Sequence, residues 1–383
     1  HRVWCWGNNA YGQLGDGSRE ASWIPVRTAL DLAERYVAIT AGTHHACALT
    51  EEGRAFCWGD DRSGALGAET EGEASPLPVP SVAGERFVSL SAGDIPFDEP
   101  LPEEGAHTCG LTLDGRALCW GNGRQGHLGH GATPEASPPV SPSGGHVFVK
   151  LEASAGYTCG LTEDESLYCW GKGPLGTPPS YAYKAVPLES TTPRIALVGP
   201  PDAPPGFPPV PEAFRNLVLG QRHACATDSS GLTYCWGNDI AFALSTSGYT
   251  IDHYGAIVFR KVGLPYDLPI YFSELMALGS TISCGVDPQG SLLCWGRALD
   301  RYDSVTPCEE PKNYWAQPIE LGFDLVDLAI GRRFCEDFLC VLDEEGLARC
   351  WGANPHGQVG RPPGEEVREP TPLFPDGGGG VNP

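Results

Sequence analysis

Hydrophobic and polar positions alternate along this chain in short runs, and the runs recur in a fixed order. ERFVSLSAG (85–93) alternates and ends in small residues, HTCGLT (107–112) is a second extended run, RALCWG (116–121) a third, and a looser fourth lies near ASPPV (136–140). A period of two over four to eight residues predicts β-strands, here labelled a to d in chain order. The tripeptide Cys-Trp-Gly closes strand c seven times, from Cys5 to Cys350, at a mean spacing near 57.5 residues. A repeat of that length with four strand-length segments is the signature of a propeller blade. The predicted fold is therefore all-β, a seven-bladed β-propeller of four-stranded antiparallel blades, spanning residues 1–375 with a flexible Gly-rich tail at 376–383.

The b–c turn follows from the residues. In TLDGR, Thr112 and Arg116 flank a three-residue loop ending at Gly115. That is a type I turn followed by a left-handed residue, a conformation glycine adopts without steric cost. Glycine recurs six residues after the strand-b cysteine at Gly53, Gly115, Gly231, Gly290 and Gly346, whereas the fourth repeat has Glu165, which predicts a strained or different turn. If Thr112 faces Arg116, Cys109 faces Cys119. The same register pairs Cys47 with Cys57, Cys159 with Cys169, Cys225 with Cys235, Cys284 with Cys294 and Cys340 with Cys350. Opposed Cβ atoms lie ~4.5–5.5 Å apart, within reach of a disulfide. Reduced thiols would pack there as small hydrophobes; their pairing in every complete hairpin favours six bridges. Each site offers two sulfurs and no further ligand at fixed spacing, which disfavours zinc.

These residues carry a family resemblance. AGTHHACALTEEGRAFCWGDDRSGALG (41–67) resembles the regulator of chromosome condensation repeat, and versions of it run from His1 to about Phe374. The resemblance implies a seven-bladed propeller used as a protein-interaction platform. Known members include an exchange factor for a small GTPase, modules beside other domains, and a secreted bacterial β-lactamase inhibitor. A second cysteine before Trp-Gly in every repeat departs from the intracellular members and points to a secreted, bacterial-type one.

Composition narrows the function. The formal net charge is −23, with 48 acidic residues against 25 basic ones. Such a surface repels phosphate backbones, so nucleic acid is not an expected partner. No apolar run approaches the ~20 residues needed to span a bilayer, so no membrane insertion is expected. The disulfide set implies a secreted, periplasmic or cell-surface location. No linear catalytic, nucleotide or EF-hand motif occurs, and no cofactor is expected; calcium at the acidic segment 94–104 has no regular ligand spacing behind it. His45, His107 and His223 stand two residues before a strand-b cysteine and read as structural, bonding a neighbouring strand. The Cys-Trp-Gly tryptophans read as packing between blades. Asp60, Asp61, Glu51 and Glu52 fall in turns and read as solvated.

Departures from the internal consensus mark candidate binding loops, since long loops on a rigid scaffold concentrate binding residues. The a–b connection of repeat three carries the insertion 94–104, with Asp94, Phe97, Asp98, Glu99, Glu103 and Glu104. The c–d connection of repeat six (297–315) carries Tyr302, Tyr314 and Trp315, and the a–b connection of repeat seven carries Arg332 and Arg333. All lie on the face shared by a–b and c–d loops. Cys308 and Cys335 sit in two of these loops on adjacent blades and are expected to bridge. The proline-rich segment 191–213 decorates the opposite face. The reading is a binding module for another protein, a subunit of a larger cell-surface assembly. The alternatives are a secreted inhibitor of an enzyme, a propeller enzyme acting on an extracellular polymer, and an intracellular exchange factor for a small GTPase. HRVWCWG enters the first repeat at strand c. The expectation is that about 25 residues before His1 supply its two inner strands and a partner for Cys5; the rival is a strand donated by another chain.

Overall fold

The computed structural model describes residues 2–70, 72–94, 105–173, 175, 189–196, 213–221, 223–237, 260–261, 263–264, 268–269, 272, 275–296, 317–331, 337–365 and 367–373. His1–Ala21 with Val26–Leu217 form one compact unit, and Ser22–Pro25 with Val218–Pro383 a second.

The chain begins with β1 (Trp4–Gly7) and β2 (Ser22–Arg27), paired as a two-stranded sheet. Then follow β3 (Tyr36–Ala41), β4 (His45–Thr50), β5 (Ala55–Gly59) and β6 (Ser75–Ser81), which form the second blade. The third comprises β7 (Phe87–Ala92), β8 (His107–Thr112), β9 (Ala117–Gly121) and β10 (Ser137–Val140). The fourth comprises β11 (Phe148–Ala153), β12 (Tyr157–Thr162), β13 (Leu167–Lys172) and β14 (Glu189–Ile195). The fifth comprises β15 (Phe214–Leu219), β16 (His223–Asp228), β17 (Thr233–Gly237) and β18 (Arg260–Lys261), and a small pair follows, β19 (Gly263–Leu264) with β20 (Leu268–Pro269). The sixth comprises β21 (Met276–Leu278), β22 (Ile282–Val286), β23 (Leu292–Gly296) and β24 (Gln317–Ile319). The seventh comprises β25 (Leu325–Gly331), β26 (Phe338–Asp343), β27 (Ala348–Gly352) and β28 (Val367–Pro372).

Each four-stranded sheet orders its strands as they occur in the chain. The expectation of seven four-stranded blades needs correction: among the described residues six sheets have four strands, and the first has only its c and d strands. The consequence is visible by comparison between repeats. Ile39 of β3 is 51% exposed, while its equivalents Leu151 and Leu217 are 4% and 0% exposed. Trp6 of β1 is half-buried, whereas Trp58, Trp120, Trp170, Trp236, Trp295 and Trp351 are buried.

The b–c register matches the sequence expectation in all of these sheets: Cys109 faces Cys119, and the equivalent pairs do the same in β4–β5, β12–β13, β16–β17, β22–β23 and β26–β27. Thr112 N–H donates to the Arg116 carbonyl (2.9 Å), so three residues along each strand the cysteines occupy a non-hydrogen-bonded pair. Six disulfides form there, with Cα atoms 4.0–4.1 Å apart. Cys5 is a free, half-buried thiol beside Thr28, whose hydroxyl lies 3.4 Å from its sulfur. Cys308 and Cys335 lie outside the described residues, as do the tail and most of 191–213.

The alternation in strand a hides one feature. Register shifts fall between positions 36 and 38, 87 and 89, 148 and 150, and 325 and 327. The skipped residues are Val37, Val88, Val149 and Val326, all about half exposed. A bulge turns one residue of a strand out of the ladder, which is why apolar valines sit in the open. Strand d is an edge, and prolines occupy it in β2, β6, β10, β14, β24 and β28. Lacking an N–H, proline blunts an edge against further pairing.

Candidate functional site

The c–d turn positions the surface side chains, and it is built the same way in several blades. Asn9 Oδ1 accepts the Leu14 N–H (3.0 Å) while its amide nitrogen donates to the Glu20 carbonyl (3.0 Å). Asn354 plays the same part with Val359 N–H (3.3 Å) and the Pro362 carbonyl (2.9 Å). In blade two that position is Asp61, which accepts from Leu66 N–H (2.7 Å) and the Thr70 hydroxyl. Asp60 and Asp61 are therefore buried knots of this turn, not the solvated pair expected from the sequence. Burial pushes the Asp61 carboxyl up, against the hydrogen bonds from Thr70 and Leu66.

The turn also joins neighbouring blades. Trp58 Nε1–H donates to the Gln13 carbonyl (2.8 Å), Trp120 to Ala65 (2.9 Å) and Trp170 to His127 (2.7 Å), each acceptor being in the c–d turn of the preceding blade. The expected inter-blade role of these tryptophans is what the structure shows. Their indoles bury beside aromatic and disulfide neighbours; Trp170, for example, packs with Cys109, Cys119 and Phe148. The histidines likewise cross between blades. His45 Nε2 lies 2.9 Å from Thr108 Oγ1, His107 Nε2 lies 2.9 Å from Thr158 Oγ1, and His223 Nε2 lies 2.7 Å from Ser283 Oγ. Where repeat six has Ile282 in place of histidine, the buried Asp337 at the root of β26 takes over. It accepts from Ser280 N–H (3.0 Å), Thr281 N–H (2.7 Å), Ile282 N–H (3.1 Å) and the hydroxyls of Ser280 and Thr281. Burial pushes its carboxyl up against these five donors.

On the face formed by a–b and c–d loops, four side chains of the first unit converge. Tyr11 comes from the blade-one c–d turn, His44 from the blade-two a–b turn, and Asp60 and Arg62 from the blade-two c–d turn. The Arg62 guanidinium grips Asp60 through Nε (2.9 and 3.1 Å) and Nη2 (2.7 Å). It lies over the Tyr11 ring, 4.8 Å from the centroid. The Tyr11 and His44 rings are 4.5 Å apart, and His44 Nδ1 is 4.0 Å from Asp60. Burial disfavours the Asp60 charge, but Arg62's side chain and backbone N–H outweigh it and leave the carboxyl below its ordinary range. The hydrogen bonds that Arg62 donates to Asp60 hold the guanidinium the more firmly protonated. Burial lowers His44, with Asp60 opposing, so the ring is neutral at pH 7. The result is a fixed guanidinium on an aromatic bed, half-exposed and held by a buried carboxylate. A stacked, desolvation-ready arginine with tyrosine is the chemistry of a protein-binding anchor.

Of the loop residues singled out from the sequence, Asp94 is described, and it is buried: Thr43 Oγ1 donates to its Oδ1 (3.3 Å). Phe97, Asp98, Glu99, Glu103, Glu104, Tyr302, Tyr314, Trp315, Arg332 and Arg333 lie outside the described residues. Asp94 thus anchors the start of the insertion instead of lining its surface. The Tyr11–His44–Arg62 group escaped sequence reasoning because its members are 33 and 18 residues apart in three separate turns. Nor did the turn positions mark them: Arg62 shares its place with Ala10, Arg124 and Pro355, and Tyr11 with Ser63, Gln125 and His356. Among the described residues no group of three or more His, Cys, Asp or Glu side chains could hold a metal ion.

Comparison with known proteins places these repeats. The family described as the regulator of chromosome condensation (RCC1) repeat matches residues 1–49, and a second description of the same repeat matches 36–65 and 105–126. RUG3, a mitochondrial RCC1 domain-containing protein of Arabidopsis thaliana, is 28% identical over 135 residues, 35% of this chain and 28% of that protein. Human HERC6, a probable E3 ubiquitin-protein ligase, is 31% identical over 37% of this chain and 13% of its own length. The ultraviolet-B receptor UVR8 of Arabidopsis thaliana is 31% identical over 37% of this chain and 31% of its own length. The match thus spans under a third of each of these relatives. Among solved structures, Prp20p of Saccharomyces cerevisiae, studied for its binding to Gsp1p and histones, superposes with a TM-score of 0.77 at 18% identity, over 97% of this chain and 86% of Prp20p. Human WBSCR16 gives 0.74 at 16% identity, over 97% and 94%. At these identities the likeness establishes the fold, which in both comparisons extends along nearly the whole chain. With six four-stranded antiparallel sheets among the described residues, the chain carries regulator of chromosome condensation repeats, matched over residues 1–65 and 105–126, and folds as a β-propeller.

Proposed function

We propose that this propeller is a protein-docking module that works outside the reducing cytosol, as a subunit of a cell-surface assembly or as a secreted inhibitor, and that its anchor is the Tyr11–His44–Arg62 group. The observation that carries the docking surface is Arg62 itself, clamped by Asp60 and stacked on Tyr11 yet half-exposed. Its geometry is set before any partner arrives, so little side-chain entropy is lost on binding. The six hairpin disulfides support the oxidising compartment, where such bonds persist. With a net charge of −23, the chain attracts a partner with a basic surface, and the association rate falls as salt rises.

The test is capture of partners from the native secreted or surface fraction with wild type, Arg62→Ala and Tyr11→Ala, followed by titration of the captured protein. Loss of an anchor of this kind weakens binding about tenfold or more. Equal affinity for all three proteins rejects this site. A second reading, an intracellular partner-binding propeller, is favoured by the likeness to Prp20p. Thiol counting on protein isolated under non-reducing conditions separates the two: six intact bridges support the oxidising location, and reduced cysteines at the paired positions support the intracellular one.

A further inference from the structure

Two of the buried inter-blade histidines have a proton inventory that can be read from their partners. Thr108 Oγ1 donates its single proton to the Ala65 carbonyl (2.7 Å), and Thr158 Oγ1 donates to the His127 carbonyl (3.0 Å). Each hydroxyl can therefore only accept from the histidine that meets it. His45 and His107 must carry their hydrogen on Nε2, so Nδ1 is a bare lone pair in the neutral ring. Both Nδ1 atoms are buried without a hydrogen-bond partner. Below them lie Gly42 and Gly93, so close that a Cβ on either glycine would meet the imidazole at 2.5–2.9 Å. A second proton on either ring would create a buried cationic N–H with no acceptor and no room to turn. His127 stands beside them, its ring 5.0 Å from that of His107 and its Nε2 3.2 Å from Gln125 Oε1.

We propose that the joints between blades two, three and four form an acid-sensitive latch, in which His45 and His107, with His127 alongside, can take up protons only by releasing the neighbouring blade. The inference does not depend on which partner docks. Facing His45 are Asp60, which favours a cation there, and His44, which opposes it. Facing His107 are His127 and His45. Facing His127 are the Asn122 carbonyl, which favours a cation, and Lys172, which opposes it. Burial is the largest influence on all three. It lowers His45 and His127 from the ordinary 6.5 to about 4, and His107 well below its ordinary value.

The direction of the effect follows from linkage. Below pH ~6.5 a released histidine is protonated while the latched one stays neutral until about pH 4, so the open form binds more protons throughout that window. The latch is at full strength above pH ~6.5 and weakens as pH falls, the opening constant rising about tenfold per pH unit for each ring.

The experiment uses the disulfide-intact full chain. Urea unfolding is followed from pH 7.5 to 4.5 for wild type and for the double variant His45→Gln/His107→Gln, whose amide N–H can still donate to Thr108 and Thr158 but does not titrate. Wild type should lose stability between pH 6 and 5 by a factor of about 100 in the unfolding constant for the two rings, and the variant should lose that dependence. The same slope in the variant overturns the proposal. If the variant fails to fold at pH 7.5, hydrogen exchange on wild type decides instead. Selective loss of protection in β4, β8 and β12 between pH 7 and 5, with β26 retained, supports the latch; unchanged protection in those strands overturns it. Histidine NMR titration that places His45 and His107 near 6.5 in the folded chain also overturns it.

Discussion

Replacing Glu165 by glycine should leave the protein as stable as before or slightly more so. Glu165 ends the b–c turn of blade four with φ of 64°, in the left-handed region, while its equivalents Gly53, Gly115, Gly231, Gly290 and Gly346 have φ of 77–86°. The turn is otherwise the same. Glu165 N–H donates to the Thr162 carbonyl (3.0 Å) and its own carbonyl accepts from Phe214 N–H (3.0 Å), as Gly115 does with Thr112 (3.0 Å) and Phe148 (2.8 Å). A side chain in this conformation costs about 1–2 kcal/mol. Removing it releases that strain, but a glycine also raises the entropy of the unfolded chain by about 0.4–1 kcal/mol. The Arg215–Glu165 pair (3.1 Å) is lost as well, and with side chains 64% and 35% exposed it contributes a few tenths of a kcal/mol at most. The balance is a gain of about 0.5 kcal/mol, with strain relief the largest contribution. The reciprocal changes should separate strain from crowding. In Gly115→Ala the new Cβ would meet Val147 Cγ1 at 2.5 Å and the Phe148 carbonyl at 3.0 Å, whereas Gly290→Ala meets nothing within 4 Å. The first should cost about 2 kcal/mol or more and the second about 0.5–1 kcal/mol. Urea denaturation of the disulfide-intact proteins, compared at equal m-values, measures all three. A loss above about 1 kcal/mol for Glu165→Gly, or equal costs for the two alanine variants, would refute the strain argument.

Two further outcomes are expected. Removing one bridge as Cys109→Ala/Cys119→Ala should cost about 2.5–3 kcal/mol from the short loop it closes, with the fold kept because β8 and β9 remain paired to β7 and β10; circular dichroism and denaturation check this, and a collapsed near-ultraviolet spectrum would mean the bridge is needed for folding. Asp337→Ala strips five donors of their acceptor and should cost about 3–5 kcal/mol. Amide exchange at Ser280–Ile282 is the readout, and unchanged protection there would show that Asp337 does not hold this loop.

The sequence by itself determined whatever depends on spacing within one hairpin. Ten residues with a three-residue turn place Cys109 opposite Cys119 wherever the sheet lies, and Gly115 or Glu165 meets the same left-handed position for the same reason. The repeat period likewise announced blades, the tryptophan positions announced contacts between them, and the histidines read as structural without their inter-blade reach. Sequence pattern could not reveal which atoms meet across blades: His45 reaches Thr108 over 63 residues, and Tyr11, His44 and Arg62 converge from three turns. Nor could it separate a turn carboxylate in water from Asp60 and Asp61, because both are acidic residues after a glycine and only the surrounding turn takes them out of solvent. The same limit applies to the bulged valines, whose apolar character suits a core but whose place in the ladder turns them outward. Local geometry is carried by chain connectivity over a few residues. Burial and convergence depend on how successive sheets pack, and that packing exists only in the folded molecule.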